Sequence, residues 1–393
     1  MKKLIALLLS LCMVLGMTAC ASNNTTPPAN DNKDTENTQT ETQKPADDNT
    51  ADDTTDDNTD DNTSDEKMYI PVMAKGFQHQ FWQAVAAGAA AAAEDYDVEI
   101  YFDGPASETE ISAQVDMVKK ELAKNPKALA LAALSTDAVT EILEECAEKN
   151  IPVIGFDSGV PGDTTGAVKA TACTHNEAAA ALAAEKFGEN EDLVAAMKAA
   201  TPENPVVIGC LSQDAVSASV VGRTTGFVNK MAEVAAQYGT VSIEGHTLWE
   251  NKVDNASIII KVEISATTEA TAVQTAANAL LNTAGLKAIF CSNEGAVTGF
   301  LSAVSDGEDL AEGGKYAGLV VAGFDAGAAQ KNAVRQGWFY GSVTQDPYMI
   351  GYYAVELAVK AAKGEEVSDV DTGAQWYNAE NIDDEMISML VYD

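Results

Sequence analysis

The sequence predicts an α/β protein of two similar three-layer α/β/α lobes, each built on a parallel sheet, with a ligand cleft between them. Three observations lead there. From Met68 onward, apolar strand-like runs alternate with helical patterns, the signature of parallel sheets with covering helices. The alternation pauses near Ala167–His175 and then restarts, so the chain holds two βα runs, each of domain size. A phrase also recurs after the fourth predicted strand of each run: Gly155-Phe156-Asp157-Ser158-Gly159 and Gly323-Phe324-Asp325-Ala326-Gly327.

Ahead of these runs stand two segments of other kinds. Met1-Lys2-Lys3, an apolar stretch from Leu4 to Met17 and then Thr18-Ala19-Cys20 describe a secretory signal over residues 1–19. The stretch is shorter than the roughly 20 apolar residues that a spanning helix needs. Met17-Thr18-Ala19-Cys20 resembles a bacterial lipobox, which implies that the Cys20 thiol carries diacylglycerol and becomes the new N-terminus. Such an anchor holds a protein stably on a membrane. Residues 21–67 are dominated by Asn, Thr, Asp, Glu, Gln and Pro, with no aromatic residue and no Leu, Ile or Val. They cannot bury enough apolar area to offset ordering entropy. Paired acidic residues such as Asp52-Asp53 and Asp56-Asp57 repel and extend the chain. Residues 20–67 therefore read as a lipidated cysteine and a solvated acidic stalk, outside the cell but tethered to its membrane. A calcium tract would need the Gly and closing Glu of a calcium loop, which are missing.

The net charge of −36 favours a soluble monomer. With no basic stripe to meet phosphates, it argues against a nucleic-acid partner. Of six cysteines, Cys12 leaves with the signal and Cys20 takes the lipid. Cys146, Cys173, Cys210 and Cys291 are widely spaced, with no Cys-x-x-Cys pair, so zinc is not indicated. An exported chain could pair them, but a domain this large needs no staples, and buried free thiols are the preferred reading.

In the first run the strands are Tyr69–Ala74, Val98–Phe102, Ala128–Leu131 and Pro152–Phe156, with helices near Gln80–Asp95, Glu108–Lys124 and Asp137–Lys149. The second run has strands Val206–Leu211, Val241–His246, Lys287–Cys291 and Gly318–Phe324. Its helices lie near Ser217–Ala236, Glu269–Asn282, Glu294–Val304 and Ala326–Arg335. A last strand, Phe339–Thr344, leads through Gln345-Asp346-Pro347 to a helix at about Tyr348–Lys363.

In open α/β sheets ligands bind beyond the carboxyl ends of the strands. Two facing lobes would present Asp157 and Asp325 to one cleft. A lone Asp after a strand more commonly caps the next helix, but the matched pair points to the cleft. Gln345 is placed for the same cleft, or else belongs to a plain cap segment with Pro in the first turn. After the first strand comes Lys75-Gly76-Phe77-Gln78-His79-Gln80-Phe81-Trp82. Adjacent helical residues point in different directions, so Phe81 and Trp82 are not expected to share one core. One of them should offer a flat apolar face to the cleft, as small-ligand pockets do. The plainer alternative is two core aromatics and a solvent His79. Arg223 and Asn293 complete a set able to hold vicinal hydroxyls by charge-assisted hydrogen bonds. Two Asp against one Arg disfavours an anionic ligand.

From about Met68 to the C-terminus the chain resembles the type I periplasmic sugar-binding proteins, the ribose-binding-protein family. The Gly-Phe-Gln-His-Gln-Phe-Trp segment matches the family's first binding loop, with His79 where Asn is common and Phe81 and Trp82 as stacking aromatics. Asp157 matches the first-lobe cleft Asp. Arg223, Asn293, Asp325 and Gln345 match the polar ligands of the second lobe, and Trp249 takes the place of a third aromatic. Ser158 stands where ribose binders carry Arg, a departure that bears on which sugar is bound. The resemblance implies a three-stranded hinge, crossed near Cys173–Asn176, Thr344–Asp346 and Asp371–Tyr377. One lobe would then be 68–174 plus about 346–375, the other 175–345 plus about 376–393. It also implies closure on a small-molecule sugar and docking on an ABC transporter permease, with no cofactor, metal or catalysis.

Three alternatives differ in class. A sensory binding protein would signal to a membrane kinase, and a furanosyl signal molecule or a nucleoside could replace the sugar. A lactose-repressor-type regulator would need a DNA-binding headpiece where this chain has a signal and a stalk. An enzyme is disfavoured, because His79, His175 and His246 are far apart and no Gly-x-Ser-x-Gly, His-Glu-x-x-His or P-loop pattern occurs. Asp157 and Asp325 as a glycosidase pair is the remaining catalytic option.

Overall fold

Alternating β-branched strands and alanine-rich helices produce two parallel-dominated sheets in a computed structural model that describes residues 67–77 and 79–392. The signal, Cys20, the stalk through residue 66 and Gln78 of the first binding loop lie outside the described residues. In chain order the first lobe is β1 (Tyr69–Met73), α1 (Phe81–Asp95), β2 (Glu99–Asp103), α2 (Ile111–Leu122), β3 (Leu129–Leu131), α3 (Thr140–Glu148), β4 (Val153–Phe156) and β5 (Val168–Cys173). The second begins with α4 (Asn176–Glu189), α5 (Glu191–Ala199), β6 (Val206–Ser212), α6 (Ala218–Ala235), β7 (Val241–Glu244) and β8 (Ile258–Ile264). It continues through α7 (Ala270–Leu281), β9 (Leu286–Cys291), α8 (Glu294–Ala303), β10 (Val320–Phe324), α9 (Ala328–Arg335) and β11 (Gly341–Gln345). Then follow α10 (Pro347–Ala362), β12 (Val370–Asp371), β13 (Ala374–Tyr377) and α11 (Glu385–Leu390).

The sheets run β12-β5-β4-β3-β1-β2 and β13-β11-β10-β9-β6-β8-β7. Every pairing is parallel except β11 with β13. The chain passes from the first sheet to the second after β5, returns after β11 into α10, and leaves again between β12 and β13. Ala374 and Gln375, expected in the first lobe, pair with Gln345 and Thr344 in the second sheet. The last crossing is thus tighter than the sequence suggested.

Superposing the two strand orders matches β1 with β6, β2 with β8, β3 with β9 and β4 with β10. This corrects the strand count. β8, absent from the strands expected from sequence, is a seven-residue strand rich in β-branched residues, with burial that alternates over its first five positions. β10 is therefore the fifth strand of its run, yet it holds the position of β4. The repeated Gly-Phe-Asp phrase is equivalent in space rather than in count. β7 is an added edge strand with no first-lobe counterpart.

Each lobe is closed on one face by a tight helix pair. α10 lies along α1, and a Cβ on Gly88 or Gly351 would stand 1.8 Å from the Tyr348 carbonyl oxygen or 1.9 Å from that of Val85. α6 lies as closely on α4 through Gly226, where a Cβ would fall 2.1 Å from the Glu177 oxygen. Such backbone approach admits only glycine. Cys146, Cys210 and Cys291 are free and buried, and Cys173 is free and half-buried. Burial first of all pushes the Cys146 and Cys173 thiols up to about 12, which leaves them protonated and inert.

Candidate functional site between the two sheets

Both repeated phrases end in the same backbone device. Asp157 and Asp325 leave their strands at φ 51° and 77°, the left-handed region that Asp tolerates better than most side chains. Each N–H is held by the next strand, Asp157 by the Ala172 carbonyl at 3.0 Å and Asp325 by that of Val343 at 2.7 Å. Neither caps the following helix. Gly327 is the cap residue of α9, and no helix lies between Asp157 and β5.

Arg223, on the second turn of α6, stands between the two carboxylates. Its NH1 donates to Asp325 Oδ2 at 3.3 Å, and its NH2 lies 3.7 Å from Asp157 Oδ1. Its Nε donates to Asn176 Oδ1 at 2.8 Å, and the guanidinium carbon sits 3.9 Å from the centre of the Phe324 ring. Every face of the buried cation is thus compensated, as burial requires. Gln345 Nε2 donates to Asp325 Oδ1 at 2.8 Å, and the Glu294 N–H to Asp325 Oδ2 at 2.9 Å.

The first lobe answers with Lys75, only 5% exposed. Its Nζ is 3.2 Å from Asp157 Oδ2 and donates to Ser219 Oγ across the lobes at 3.2 Å. The ion pair is off the hydrogen-bonding direction, so Asp157 Oδ2 is buried without a donor, as is Gln345 Oε1. Buried acceptors are seldom left so, and these two line the same cavity.

Phe81 and Trp82 correct an expectation. Both belong to the first-lobe core, at 5% and 1% exposure, and both also line the cavity. They meet edge to face, with centroids 5.0 Å apart. At the open end of a helix, neighbouring side chains can both lie over the edge of the sheet, so the usual divergence does not separate core from cleft. Trp82 Nε1 donates to Glu108 Oε1 at 3.1 Å, and His79 Nε2 is 3.9 Å from the same oxygen. Gln213 Nε2 donates to Glu108 Oε2, and Asn293 Nδ2 to Gln213 Oε1, both at 2.8 Å. Asn293 also caps α8, accepting from the Ala296 N–H at 3.0 Å.

Burial opposes ionisation of Glu108. The charges of Lys75 and His79 and the donors Trp82 and Gln213 outweigh it and hold the carboxyl below its ordinary range. Glu294 goes the other way. Burial raises it, with repulsion from Asp325, against the opposing effects of His79 and the Gln80 and Phe81 N–H groups.

His79, Phe81, Trp82, Asp157, Arg223, Asn293, Asp325 and Gln345 therefore line one cavity. Two expected members do not. Ser158 is fully buried behind it, its Oγ accepting the Ser219 N–H at 3.3 Å. Trp249 follows the added strand β7 and donates through Nε1 to Thr225 Oγ1 at 2.9 Å, on the margin of the second-lobe core. The counterpart of β2 is β8, so a cleft residue of that kind would come from the β8–α7 loop. Lys75, Glu108 and Glu294 are charged wall residues that the sequence reading missed. Glu108 was assigned inside a helix that in fact begins at Ile111.

Four carboxylates line this cavity against Lys75, Arg223 and His79, an acidic excess that repels anions. Its volume is about 20 Å³, little more than one water needs, so the lobes as they stand leave no room for a larger ligand.

Residues 70–366 match the family described as periplasmic binding protein domain. A solved structure named as an ABC transporter, LacI family transcriptional regulator from Brachyspira murdochii is 41% identical, with a TM-score of 0.71 over 84% of this chain and 100% of that one. An ABC transporter solute binding protein from Agrobacterium vitis with bound D-fucose is 26% identical, with a TM-score of 0.67 over 82% and 100% of the two chains. A carbohydrate transporter solute binding protein from Agrobacterium radiobacter, in complex with D-arabinose, is also 26% identical, with a TM-score of 0.66 over 83% and 99%. No curated protein matches the chain.

Proposed function

This chain belongs to the periplasmic binding protein family, and from that premise we propose that it captures a neutral monosaccharide outside the cell and delivers it to the permease of an ABC transporter. The observation that carries the ligand class is the pair of buried, donor-less acceptors, Asp157 Oδ2 and Gln345 Oε1, in a cavity walled by Phe81 and Trp82. Two acceptors call for two donors, and vicinal hydroxyls supply them beside an apolar ring face. The excess of carboxylates opposes sugar phosphates and sugar acids. Bound D-fucose and D-arabinose in two structural relatives support the same class.

His79, Phe81, Trp82, Asp157, Arg223, Asn293, Asp325 and Gln345 are the proposed ligand contacts, with Lys75, Glu108 and Glu294 added. Binding draws the lobes together about the three crossings, a closure stabilised by ligand contacts made from both sides. The protein acts as a monomeric carrier rather than an enzyme. It is held at the outer face of the membrane by diacylglycerol on Cys20, with the acidic segment to residue 67 as a stalk.

The test is a thermal-shift screen of residues 68–393 against pentoses, hexoses, inositols, nucleosides and amino acids. Ligand at a hundred times its dissociation constant adds about 2.7 kcal/mol, a readable shift. One sugar raising the midpoint would support the reading and name the ligand. A response only to nucleosides or amino acids would discard the sugar.

A further inference from the structure

A second compartment opens beside the charged one, and the mechanism above does not use it. It has a volume of about 280 Å³, close to the ~300 Å³ at which small-ligand pockets begin. Both lobes line it: Ile111 and Leu134 from the first, Val216, Ile264 and Thr268 from the second. It lies beyond the carboxyl ends of β6 and β8, in the same cleft, and Glu108 lines both compartments. Between them runs a chain of side-chain hydrogen bonds, Asn293 to Gln213 to Glu108. Its rim is bridged across the lobes by Ser107 Oγ donating to Glu269 Oε1 at 3.2 Å.

Its lining joins the aliphatic Ile111, Leu134, Val216 and Ile264 to hydroxyls, with Glu108, Gln213 and Asp214 on the side of the charged compartment, and it contains no aromatic ring. A second sugar ring would find no stacking face of the kind that Phe81 and Trp82 provide. One polar atom is left over: Thr268 Oγ1 is buried without a partner. We infer that the ligand has two parts, a sugar ring for the charged compartment and a short aliphatic aglycone ending in a hydrogen-bonding group for the second. The inference rests on the sugar reading of the first compartment. Because the compartment is lined by both lobes, an aglycone there adds to closure.

The test begins with the monosaccharide that the protein binds best, compared by calorimetry with its n-propyl and 3-hydroxypropyl glycosides in both anomers. At least one glycoside should bind about tenfold more tightly than the free sugar, since each buried methylene contributes ~0.8 kcal/mol. Ala266 is an exposed residue on the compartment wall. Ala266→Trp should fill the space, abolish the glycoside advantage and leave free-sugar affinity unchanged. Thr268→Val should erase any preference for the hydroxypropyl over the propyl glycoside. Glycosides that bind no better than the free sugar would overturn the inference while the sugar reading stands, and so would an Ala266→Trp that weakens both ligands alike. If no carbohydrate binds at all, the sugar reading falls and this inference falls with it.

Discussion

Glu294, at the start of α8 in the second lobe, accepts the N–H of Gln80 at the head of α1 in the first, at 3.3 Å. The Phe81 N–H points to the other oxygen at 3.5 Å. The first N–H groups of a helix have no partner within it, and a carboxylate there also meets the positive end of the helix dipole. α1 has no side-chain cap of its own. Its cap comes from the opposite lobe and forms only when the lobes meet. Glu294→Gln should therefore weaken ligand binding by about 1 kcal/mol, roughly fivefold, when measured by calorimetry. Unchanged affinity would mean that the trans cap adds nothing to closure.

The two buried glutamates should give opposite pH signatures. Glu294 is raised in the folded protein, chiefly by burial. Its contribution to stability is present below the unfolded pKa and is lost as pH rises through the folded one. The wild-type melting temperature minus that of Glu294→Gln should fall from pH 4 to pH 7. Glu108 is lowered despite its burial, so its contribution is present above the unfolded pKa and is lost as pH falls through the folded one. The difference between wild type and Glu108→Gln should grow with rising pH over the acid range. Parallel slopes for the two variants would contradict these assignments.

Asp325 and Gln345 should separate stability from affinity. Asp325→Ala strips Arg223 of a partner at 3.3 Å, and breaking a buried pair costs ~3–5 kcal/mol. Urea unfolding and ligand binding should both suffer. Gln345→Ala removes an amide whose Oε1 has no protein partner. Its larger effect should be on ligand affinity, about 1–3 kcal/mol for the lost hydrogen bonds. A Gln345→Ala protein that binds as wild type would remove that side chain from the ligand shell.

Trp249→Phe tests the corrected position. It loses the bond to Thr225 and should cost about 1 kcal/mol of stability with no change in ligand affinity. A large loss of affinity would return Trp249 to the cleft.

Much of this was legible in the sequence, for a definite reason. The Gly-Phe-Asp phrase is short, polar at its end and set after a fully apolar strand, so it marks a strand terminus without help from tertiary structure. Eight of the ten expected ligand contacts meet at one cavity, most of them because they follow a strand end, and Arg223 because it lies early in a helix that opens toward the same cleft. Trp249 was placed by resemblance alone, and the predicted strands omitted Ile258–Ile264, although its β-branched residues are those of a strand. Lys75 and Glu108 were hidden differently. A charged residue in a loop after a strand or before a helix usually belongs to solvent, whereas these two are buried with partners from the opposite lobe, Ser219 and Gln213. Sequence periodicity within one lobe carries no trace of those partners.

The Cys20 proposal has a direct readout. Cys20→Ser in the full chain should move the protein from the membrane fraction to the soluble one, with ligand affinity unaltered. Continued membrane retention would count against the diacylglycerol anchor.

α10 completes the first lobe by lying along α1, yet it follows almost the whole of the second lobe in the chain. On the ribosome, β1 to β5 and their helices emerge early without the helix that covers one side of them. The glycine-lined seam between Gly88 and Gly351 stays open until translation is nearly finished. Neither lobe is encoded by a contiguous stretch of the gene: the first waits for α10 and β12, and the second for β13 and α11.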